Sequence, residues 1–217
     1  IRAASRLAED SLACVLSTLK DGMREYELAA ALEYEFRKRG AQRTSFDSIV
    51  LFGSRSSLPH GMPGNTPLKK GDIVLIDCGC VLDGYCSDLT RTFVYGRIPG
   101  TWFSEIYACV QQAQANALKT VCSGASTRAV DAVARTIITT AGYGEHFGHG
   151  TGHAVGLEVH ENPRLNAQSD SALATGMVIT VEPGIYLPGR GGVRIEDLLV
   201  VTDDGCEVLT ETSKELR

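Results

Sequence analysis

The chain has 217 residues, 43% of them hydrophobic and 22% charged, which is the composition of an ordinary globular protein. Its 21 basic and 26 acidic residues give a formal net charge of −5, which argues against a general nucleic-acid binder because such proteins carry a basic stripe. Apolar runs such as residues 49–52 and 73–76 are too short to cross a bilayer. We therefore expect neither nucleic acid nor membrane as a partner. The chain begins at Ile1, so the presence of an upstream domain is left open.

Seven cysteines are scattered along the chain without a regular spacing. Cys78 and Cys80 do not have the spacing of a zinc knuckle, and no second pair completes such a site. Free thiols that pack as small apolar side chains are the simplest interpretation. Because free thiols are typical of a reducing compartment, the sequence predicts a cytoplasmic protein.

Four helical patterns occur as two pairs along the chain. Apolar positions at helical spacing predict helices over residues 4–20, 24–39, 103–122 and 126–141. A glycine follows each pattern, and glycine commonly ends helices because it adopts a positive φ without strain. The same spacing of 18 residues separates Gly22 from Gly40 and Gly124 from Gly142. The two pairs are therefore equivalent units.

The strand patterns repeat in the same order as the helices. In each half a glycine turn leads into a short apolar strand that ends in a carboxylate, once at Asp77 and once at Glu182. We interpret the chain as one domain, residues 1–217, with an internal duplication of residues 3–95 and 103–201. Short turns between neighbouring strands predict a curved, mostly antiparallel sheet, and the fold class is therefore α+β.

Four acidic residues lie in or beside apolar strands: Asp77, Asp88, Glu182 and Glu196. A turn at residues 82–85 predicts a hairpin that brings Asp77 and Asp88 together. Burial of a lone carboxylate costs several kcal/mol unless its charge is compensated. Arg91 and Arg194 can pair with two of the four acids, which leaves two without a cation. Separate ion pairs or strand-end caps explain any single acid, but two divalent cations explain all four.

The histidines are concentrated in glycine-rich segments, with His60 in one and three more in residues 147–161. His149 and His153 have the spacing of a helical zinc motif, but the glycines around them weaken a helix and no glutamate follows His149. An extended segment with its backbone close to a ligand is the better interpretation. Both histidines then share one face, roughly 13 Å apart. His146 is expected to be solvated.

The ordered set of these residues resembles the catalytic domain of the pita-bread metallopeptidases, which include methionine aminopeptidase, aminopeptidase P and prolidase. The resemblance spans nearly the whole chain and includes HGTGH with VHE at 149–161, VEPGIY at 181–186 and GVRIED at 192–197. It implies a pita-bread fold of two pseudo-symmetric halves with outer helices. It also implies a pair of metal ions held by Asp77, Asp88, His153, Glu182 and Glu196. In that pattern Asp88 and Glu196 bridge the ions, Asp77 binds one, and His153 with Glu182 binds the other.

The resemblance further implies a catalytic set of His60, His149, His160, Glu182 and Arg194. His160 is expected to polarise the peptide carbonyl, Glu182 to relay a proton, and His60 to assist the leaving nitrogen. Arg194 matches an arginine that supports the site. Two divalent ions are the implied cofactor, with Mn²⁺ favoured by an oxygen-rich site and Co²⁺ or Zn²⁺ as alternatives.

Within the family, the glycine-rich and VEPGIY segments are most similar to the Xaa-Pro branch. This implies a metallo-exopeptidase that hydrolyses the N-terminal Xaa-Pro bond of dipeptides or short peptides. A methionine aminopeptidase-like activity and a non-enzymatic pita-bread binding module are the alternatives. Some prolidases hold the substrate carboxylate with an arginine upstream of VEPG; this chain offers Arg164, with Gln168 and Ser169 nearer the expected place. The size of the peptide and the oligomeric state, a homo-oligomer included, are left open.

Overall fold

The structure is a computed structural model that describes residues 1–216. The α-helices in this part of the chain are α1 (Arg2–Leu16), α2 (Glu25–Lys38), α3 (Thr101–Leu118) and α4 (Thr127–Thr140). The strands of the first half are β1 (Arg43–Thr44), β2 (Ile49–Phe52), β3 (Ile73–Cys78), β4 (Cys80–Leu82), β5 (Tyr85–Cys86) and β6 (Leu89–Val94). Those of the second half are β7 (Gly152–Ala154), β8 (Glu161–Leu165), β9 (Val178–Val181), β10 (Gly184–Leu187), β11 (Gly191–Arg194), β12 (Asp197–Val201) and β13 (Cys206–Val208).

All four predicted helices form, but the first helix of each pair is shorter than expected. Helices α1 and α3 both end six residues before their glycines, Gly22 and Gly124. Each glycine has a φ of +82°, and its N–H donates 2.8 Å to a distant carbonyl, that of Leu68 or Leu173. The glycines therefore begin the link to the next part of their half rather than cap a helix. These matched contacts support the internal duplication, which stays a prediction.

The strands pair in antiparallel fashion, as predicted. In the first half the order is β2-β3-β6, with a small sheet β1-β4-β5 beside it. In the second half a five-stranded sheet has the order β13-β12-β9-β7-β8, and β10 and β11 form a hairpin. One apolar core packs α1 and α2 on the first sheet, and a second packs α3 and α4 on the other. Each half thus has its helices on one face of its sheet.

The turn expected to join the strands of Asp77 and Asp88 has the predicted role. Asp83 and Gly84, at φ of 51° and 83°, close the hairpin between β4 and β5. Strands β3 and β6 continue the same antiparallel register beyond it, with Asp77 opposite Thr90. Asp88 immediately precedes β6. One hairpin therefore brings the two acids together, as the sequence predicted.

The halves meet along β6 and the start of β12. The Glu196 N–H donates 3.2 Å to the Thr90 carbonyl. The Thr92 hydroxyl donates 2.9 Å to the Arg194 carbonyl and accepts the Arg194 N–H at 3.2 Å. This junction brings the acidic residues of both halves to one place.

Two sequence features outside the junction also have a structural counterpart. All seven cysteines are free, and Cys78, Cys80, Cys86 and Cys109 are buried. Within residues 1–216 there is no helix with both the length and the apolar character needed to span a bilayer.

Candidate metal centre

A cleft of about 410 Å³ lies at the junction of the two halves. Its lining contains every residue of the predicted metal-binding and catalytic sets: His60, Asp77, Asp88, His149, His153, His160, Glu182, Arg194 and Glu196. Phe46 and Ile49 form an apolar part of the wall, and no sequence pattern distinguishes them from ordinary core residues. His146 does not line the cleft. The cleft is therefore polar at its base and partly apolar at its side.

Three of the expected ligands form a compact group at the base. Asp88, His153 and Glu196 are buried, and each offers a ligand atom within 4.8 Å of the others. The Nε2 of His153 lies 3.6 Å from Asp88 Oδ2 and 3.3 Å from Glu182 Oε1. The donor atoms come from both halves of the chain, and their spacing is compatible with a shared cation.

The tautomer of His153 can be assigned from its hydrogen bond. Its Nδ1 lies 3.1 Å from the Ala154 carbonyl, which can only accept, so Nδ1 carries the proton. With Nδ1 turned to this carbonyl, Nε2 is directed at the Asp88 and Glu182 carboxylates. A cation between these groups stabilises such an arrangement, since nitrogen and oxygen would both be ligands.

The carboxylates themselves carry charge that the described protein atoms do not balance. Burial raises the pKa of Asp88 and that of Glu196 well above their usual values, and neighbouring carboxylates raise both further. Burial also raises the pKa of Asp77, against the lowering effect of Arg194. Asp77 Oδ1 is buried without a hydrogen-bond partner, although Oδ2 accepts from Arg194 at 2.6 Å. These carboxylates repel one another, and a divalent cation between them would offset the repulsion.

Arg91 was one of two cations that could pair with the four acids, but it pairs with a different carboxylate. Arg91 pairs with Asp197 at 2.8 Å, and the two side chains are 3% and 0% exposed. It also donates to the backbone carbonyls of Thr90 and Glu196. Its charge is therefore used behind the cleft, where it holds the backbone at the junction of the halves.

Glu182 differs electrostatically from the other three acids. Burial raises the pKa of Glu182, but in the metal-free protein the hydrogen bond and charge of His153 outweigh this effect and bring the pKa to about 2. The Thr180 hydroxyl donates 3.3 Å to Glu182 Oε1, and the Glu182 N–H donates 2.7 Å to the Thr151 carbonyl. Glu182 is thus a fixed carboxylate that can accept a proton or a cation.

A chain of hydrogen bonds runs from Asp77 to His149. Arg194 donates to Asp77, and its Nη1 donates 2.8 Å to the Tyr186 hydroxyl. That hydroxyl lies 2.8 Å from His149 Nε2, and His149 Nδ1 lies 2.8 Å from the Gly150 carbonyl. Since the carbonyl only accepts, Nδ1 carries the proton and Nε2 accepts from Tyr186. Both ring nitrogens of His149 are therefore occupied, whereas His153 has Nε2 free.

The same surroundings keep this chain of groups in fixed protonation states. Burial raises the pKa of Tyr186 to about 12, so its hydroxyl keeps a proton to donate. Burial lowers the pKa of His149 below its usual value, so its ring stays neutral. Tyr186 is a site residue that no spacing rule singles out, because its role depends on contacts across the fold.

The extended segment expected around both histidines forms only in part. It exists at Gly152–Ala154, where His153 lies, and His149 precedes it in irregular backbone. A Cβ at Gly152 would lie 2.0 Å from the Thr180 carbonyl, so a glycine is required there for the close approach of two strands. The expectation of a close backbone approach was right, but the approach is to a strand.

The other two histidines of the cleft, His60 and His160, lie at its mouth and are exposed. The rings of His160 and His153 are 4.4 Å apart, and those of His60 and His149 are 6.5 Å apart. Partial burial lowers the pKa of His160, and His153 adds to the shift. Both mouth histidines can therefore contact a ligand that enters the cleft.

Comparison with known proteins agrees with this geometry. The model of metallopeptidase family M24 matches residues 1–203. The Xaa-Pro dipeptidase of Pyrococcus horikoshii is 43% identical over 216 residues, which are 100% of this chain and 61% of that protein. The putative dipeptidase YkvY of Bacillus subtilis is 46% identical over 216 residues, which are 100% of this chain and 59% of that protein.

Solved structures show the same fold. The X-Pro aminopeptidase of Thermotoga maritima superposes with a TM-score of 0.97 at 42% identity, over 100% of this chain and 61% of that one. The prolidase of Pyrococcus horikoshii also superposes with a TM-score of 0.97, over 100% of this chain and 62% of that one. The α+β pita-bread fold is thereby confirmed, and the chain spans about three fifths of the length of these relatives. The chain belongs to metallopeptidase family M24.

Proposed function

We propose that the protein is a dinuclear metal-dependent exopeptidase that hydrolyses the N-terminal Xaa-Pro bond of dipeptides or short peptides. The observation that carries this proposal is the buried group of Asp88, His153 and Glu196, with Asp77 and Glu182 beside it in one cleft. The Xaa-Pro specificity is supported by the names of the relatives, which include Xaa-Pro dipeptidases of two Pyrococcus species.

The donor set supports two divalent cations. Four carboxylates carry four negative charges, which two divalent ions neutralise, and the buried unpartnered Oδ1 of Asp77 is available to one of them. In this proposal the two ions would be held by Asp77, Asp88, His153, Glu182 and Glu196. Oxygen donors with one imidazole favour Mn²⁺. When bound, such ions lower the pKa of water toward neutrality and polarise a peptide carbonyl.

The side chains of the cleft supply the remaining steps. The carboxylates at the base can accept a hydrogen bond from the terminal amine of a peptide, which favours cleavage at the N-terminus over internal cleavage. His160 at the mouth can donate a hydrogen bond to the carbonyl oxygen, and Glu182 can carry a proton from water to the leaving nitrogen. His60 is an exposed residue of the cleft lining and can contact the proline. Arg194 keeps the Asp77 carboxylate oriented through its 2.6 Å ion pair.

A peptide panel tests the activity. We expect chelated protein supplied with Mn²⁺ to hydrolyse Xaa-Pro and Xaa-Pro-Yaa peptides faster than Met-Ala-Xaa, and to be inactive before the metal is added. Released N-terminal residues are measured by chromatography. Faster release from Met-Ala-Xaa would favour a methionine aminopeptidase-like enzyme instead. No release from any peptide, with two bound ions confirmed, would favour a binding module.

Arg164 is the side chain best placed to distinguish dipeptides from longer peptides. It lies on β8, opposite His153 in the pairing with β7, and lines the exposed mouth of the cleft. The other arginine of the cleft, Arg194, is already paired with Asp77. Gln168 and Ser169 lie in an adjoining groove that also contains Arg164. A dipeptide bound at the base therefore presents its carboxylate within the reach of one unpaired cation.

Replacing Arg164 with alanine is expected to raise KM for Xaa-Pro dipeptides while kcat changes little. A hydrogen bond to a charged group contributes about 1.5–3 kcal/mol, so kcat/KM should fall roughly 10- to 100-fold. Arg164→Lys keeps the charge and should recover part of the loss. An Xaa-Pro-Yaa peptide with an amidated C-terminus is the control and should show no change. Equal losses for the dipeptide and the amidated peptide would exclude carboxylate recognition by Arg164.

The location and the metal are further parts of the proposal. Seven free cysteines support a reducing compartment, and we propose the cytoplasm on that basis. Metal analysis of protein purified without added metal would identify the native ion.

A further inference from the structure

Two charged residues on the inner face of α4 form an ion pair behind the cleft. Asp131 and Arg135 are one helical turn apart, and Arg135 donates to both carboxylate oxygens at 2.8 and 2.9 Å. The Asp131 side chain is 1% exposed, whereas that of Arg135 is 31% exposed. Neither residue lines the cleft. The pair can therefore affect the cleft only through a segment that packs against α4.

The segment that packs there is the one that carries His149. Arg135 donates 3.1 Å to the Phe147 carbonyl and 2.8 Å to the His149 carbonyl. Asp131 Oδ1 accepts the N–H of Thr151 at 3.1 Å and its hydroxyl at 2.8 Å. The backbone is thus fixed on both sides of His149 by one buried ion pair.

The ring of His149 is held through the same arginine. The Arg135 guanidinium lies 4.3 Å from the centre of the Phe147 ring. The Phe147 ring meets the His149 ring edge-on, with centroids 5.1 Å apart and planes at 88°. A planar cation stacked on one face of Phe147 restricts that ring, and the ring in turn restricts the imidazole. Backbone and side chain of His149 therefore depend on Arg135.

The position of the His149 ring is set by one hydrogen bond. His149 Nε2 must meet the Tyr186 hydroxyl at 2.8 Å, at the end of the hydrogen-bond chain from Asp77 and Arg194. No regular strand holds His149, because β7 begins only at Gly152. Without an external restraint, a segment with glycines at 148, 150 and 152 has many backbone conformations.

We propose that Asp131 and Arg135 are positioning residues that fix His149 in the wall of the cleft. The inference rests on the proposed peptidase function for its kinetic consequence, but the geometry of His149 can be measured without substrate. If Arg135 only stabilised the fold, its replacement would lower kcat/KM whether or not His149 is present. A positioning role predicts that the loss depends on the His149 side chain.

A double-mutant cycle tests this coupling. Arg135→Gln is compared with wild type, and both are compared again in a His149→Ala background, with Mn²⁺ at saturation and an Xaa-Pro dipeptide as substrate. A misplacement of about 1 Å can cost a hundredfold in rate, so we expect Arg135→Gln to lower kcat/KM roughly 10- to 100-fold. In the His149→Ala background the same change should alter kcat/KM less than about twofold. Arg135→Lys should recover part of the loss, because it keeps the charge and one donor.

Matched controls separate the alternatives. Arg128→Gln changes an exposed arginine of the same helix, paired only with Asp170 at 3.6 Å, and should leave kcat/KM unchanged. Metal content after dialysis should equal that of wild type in all variants. Because the Thr151 carbonyl also accepts the Glu182 N–H, loss of an ion in Arg135→Gln would show action through Glu182 and overturn the proposal. An equal loss of kcat/KM in both backgrounds would also overturn it.

Nitrogen-15 NMR of the histidine rings gives a readout that does not depend on activity. The Zn²⁺-loaded protein is used because Zn²⁺ is diamagnetic, and the His149 signals are assigned by their absence in His149→Ala. We expect the Nδ1–H tautomer in wild type and a changed or broadened pattern in Arg135→Gln. If wild type hydrolyses no peptide, the proposed function fails, and unchanged His149 signals in Arg135→Gln would still refute the positioning role. If Arg135→Gln does not fold, Arg135→Lys replaces it in both measurements.

Discussion

Replacing His153 with alanine is expected to remove at least one metal ion, whereas replacing His149 is expected to leave both in place. His153 has Nε2 free and directed at Asp88 and Glu182, within 3.6 Å of both. His149 has both ring nitrogens occupied, by Tyr186 and by the Gly150 carbonyl. Removal of a residue that only supports a ligand costs about 10- to 100-fold in affinity or activity, so loss of the ligand itself should exceed a hundredfold.

Metal content after dialysis measures this difference, and kinetics at saturating Mn²⁺ accompany it. His149→Ala should keep two ions and show a lower kcat/KM. His146→Ala is the matched control, since His146 lies outside the cleft lining and should change neither quantity. Retention of both ions by His153→Ala, with loss from His149→Ala, would reverse the assignment of the two histidines.

Chelation is expected to destabilise the folded protein, and by more at pH 8 than at pH 6. Binding to the native state alone adds about 2.7 kcal/mol when the free metal is at 100 times its Kd. For a protein of this size, that corresponds to a loss of roughly 5–10 °C in Tm. The measurement is thermal unfolding with and without chelator, with metal loss confirmed by elemental analysis.

The dependence on pH follows from the carboxylates at the base of the cleft. In the metal-free protein burial raises the pKa of Asp77, Asp88 and Glu196, while in the unfolded chain these groups titrate near 4. The folded state then binds more protons than the unfolded state above pH 4, so the stability these groups contribute is lost as pH rises through their raised values. Glu182, with a pKa of about 2, is ionised in the folded and the unfolded state above about pH 6, so it adds no pH dependence between pH 6 and pH 8. Metal binding strengthens with pH because the ligands lose their protons, so the difference in Tm should widen.

The double variant Asp88→Asn with Glu196→Gln provides the control for this effect. It removes two of the repelling charges at nearly constant volume, so the metal-free variant should have a higher Tm at pH 8 than metal-free wild type. It should also show little further change on chelation. A Tm of wild type that does not change when the metal is removed, at either pH, would contradict the electrostatic account of the site.

Much of the fold was accessible from the sequence because periodic burial determines it. The helix pairs follow from apolar spacing, and the antiparallel sheets follow from short strands joined by glycine turns. Helix ends were less accurate, since Gly22 and Gly124 look like caps but donate their N–H groups to Leu68 and Leu173 instead. The hairpin closed by Asp83 and Gly84 was predicted correctly, because a two-residue turn that contains glycine is a strong local signal.

The candidate site was also predicted only in part from the sequence. Acidic residues are unusual in apolar strands. This feature, together with the resemblance to the pita-bread metallopeptidases, identified Asp77, Asp88, Glu182 and Glu196 as one set. Which arginine pairs with which acid depends on three-dimensional distance, so the sequence did not show that Arg91 pairs with Asp197. Tyr186 reads as an ordinary strand residue until its hydroxyl is placed between two partners. Hydrogen-bond networks of this kind produce no periodic pattern in the sequence.

The junction of the halves has a consequence for the order in which the protein is made. Asp77 and Asp88 leave the ribosome about a hundred residues before Glu182 and Glu196, and synthesis is far slower than local folding. During that interval the first half contains two acids in an apolar sheet, without the Arg194 guanidinium that later pairs with Asp77. The edge of β6 that will meet Glu196 at Thr90 is also unpaired. The nascent first half should therefore remain loosely packed at this edge, and the second half should complete its folding as well as its site.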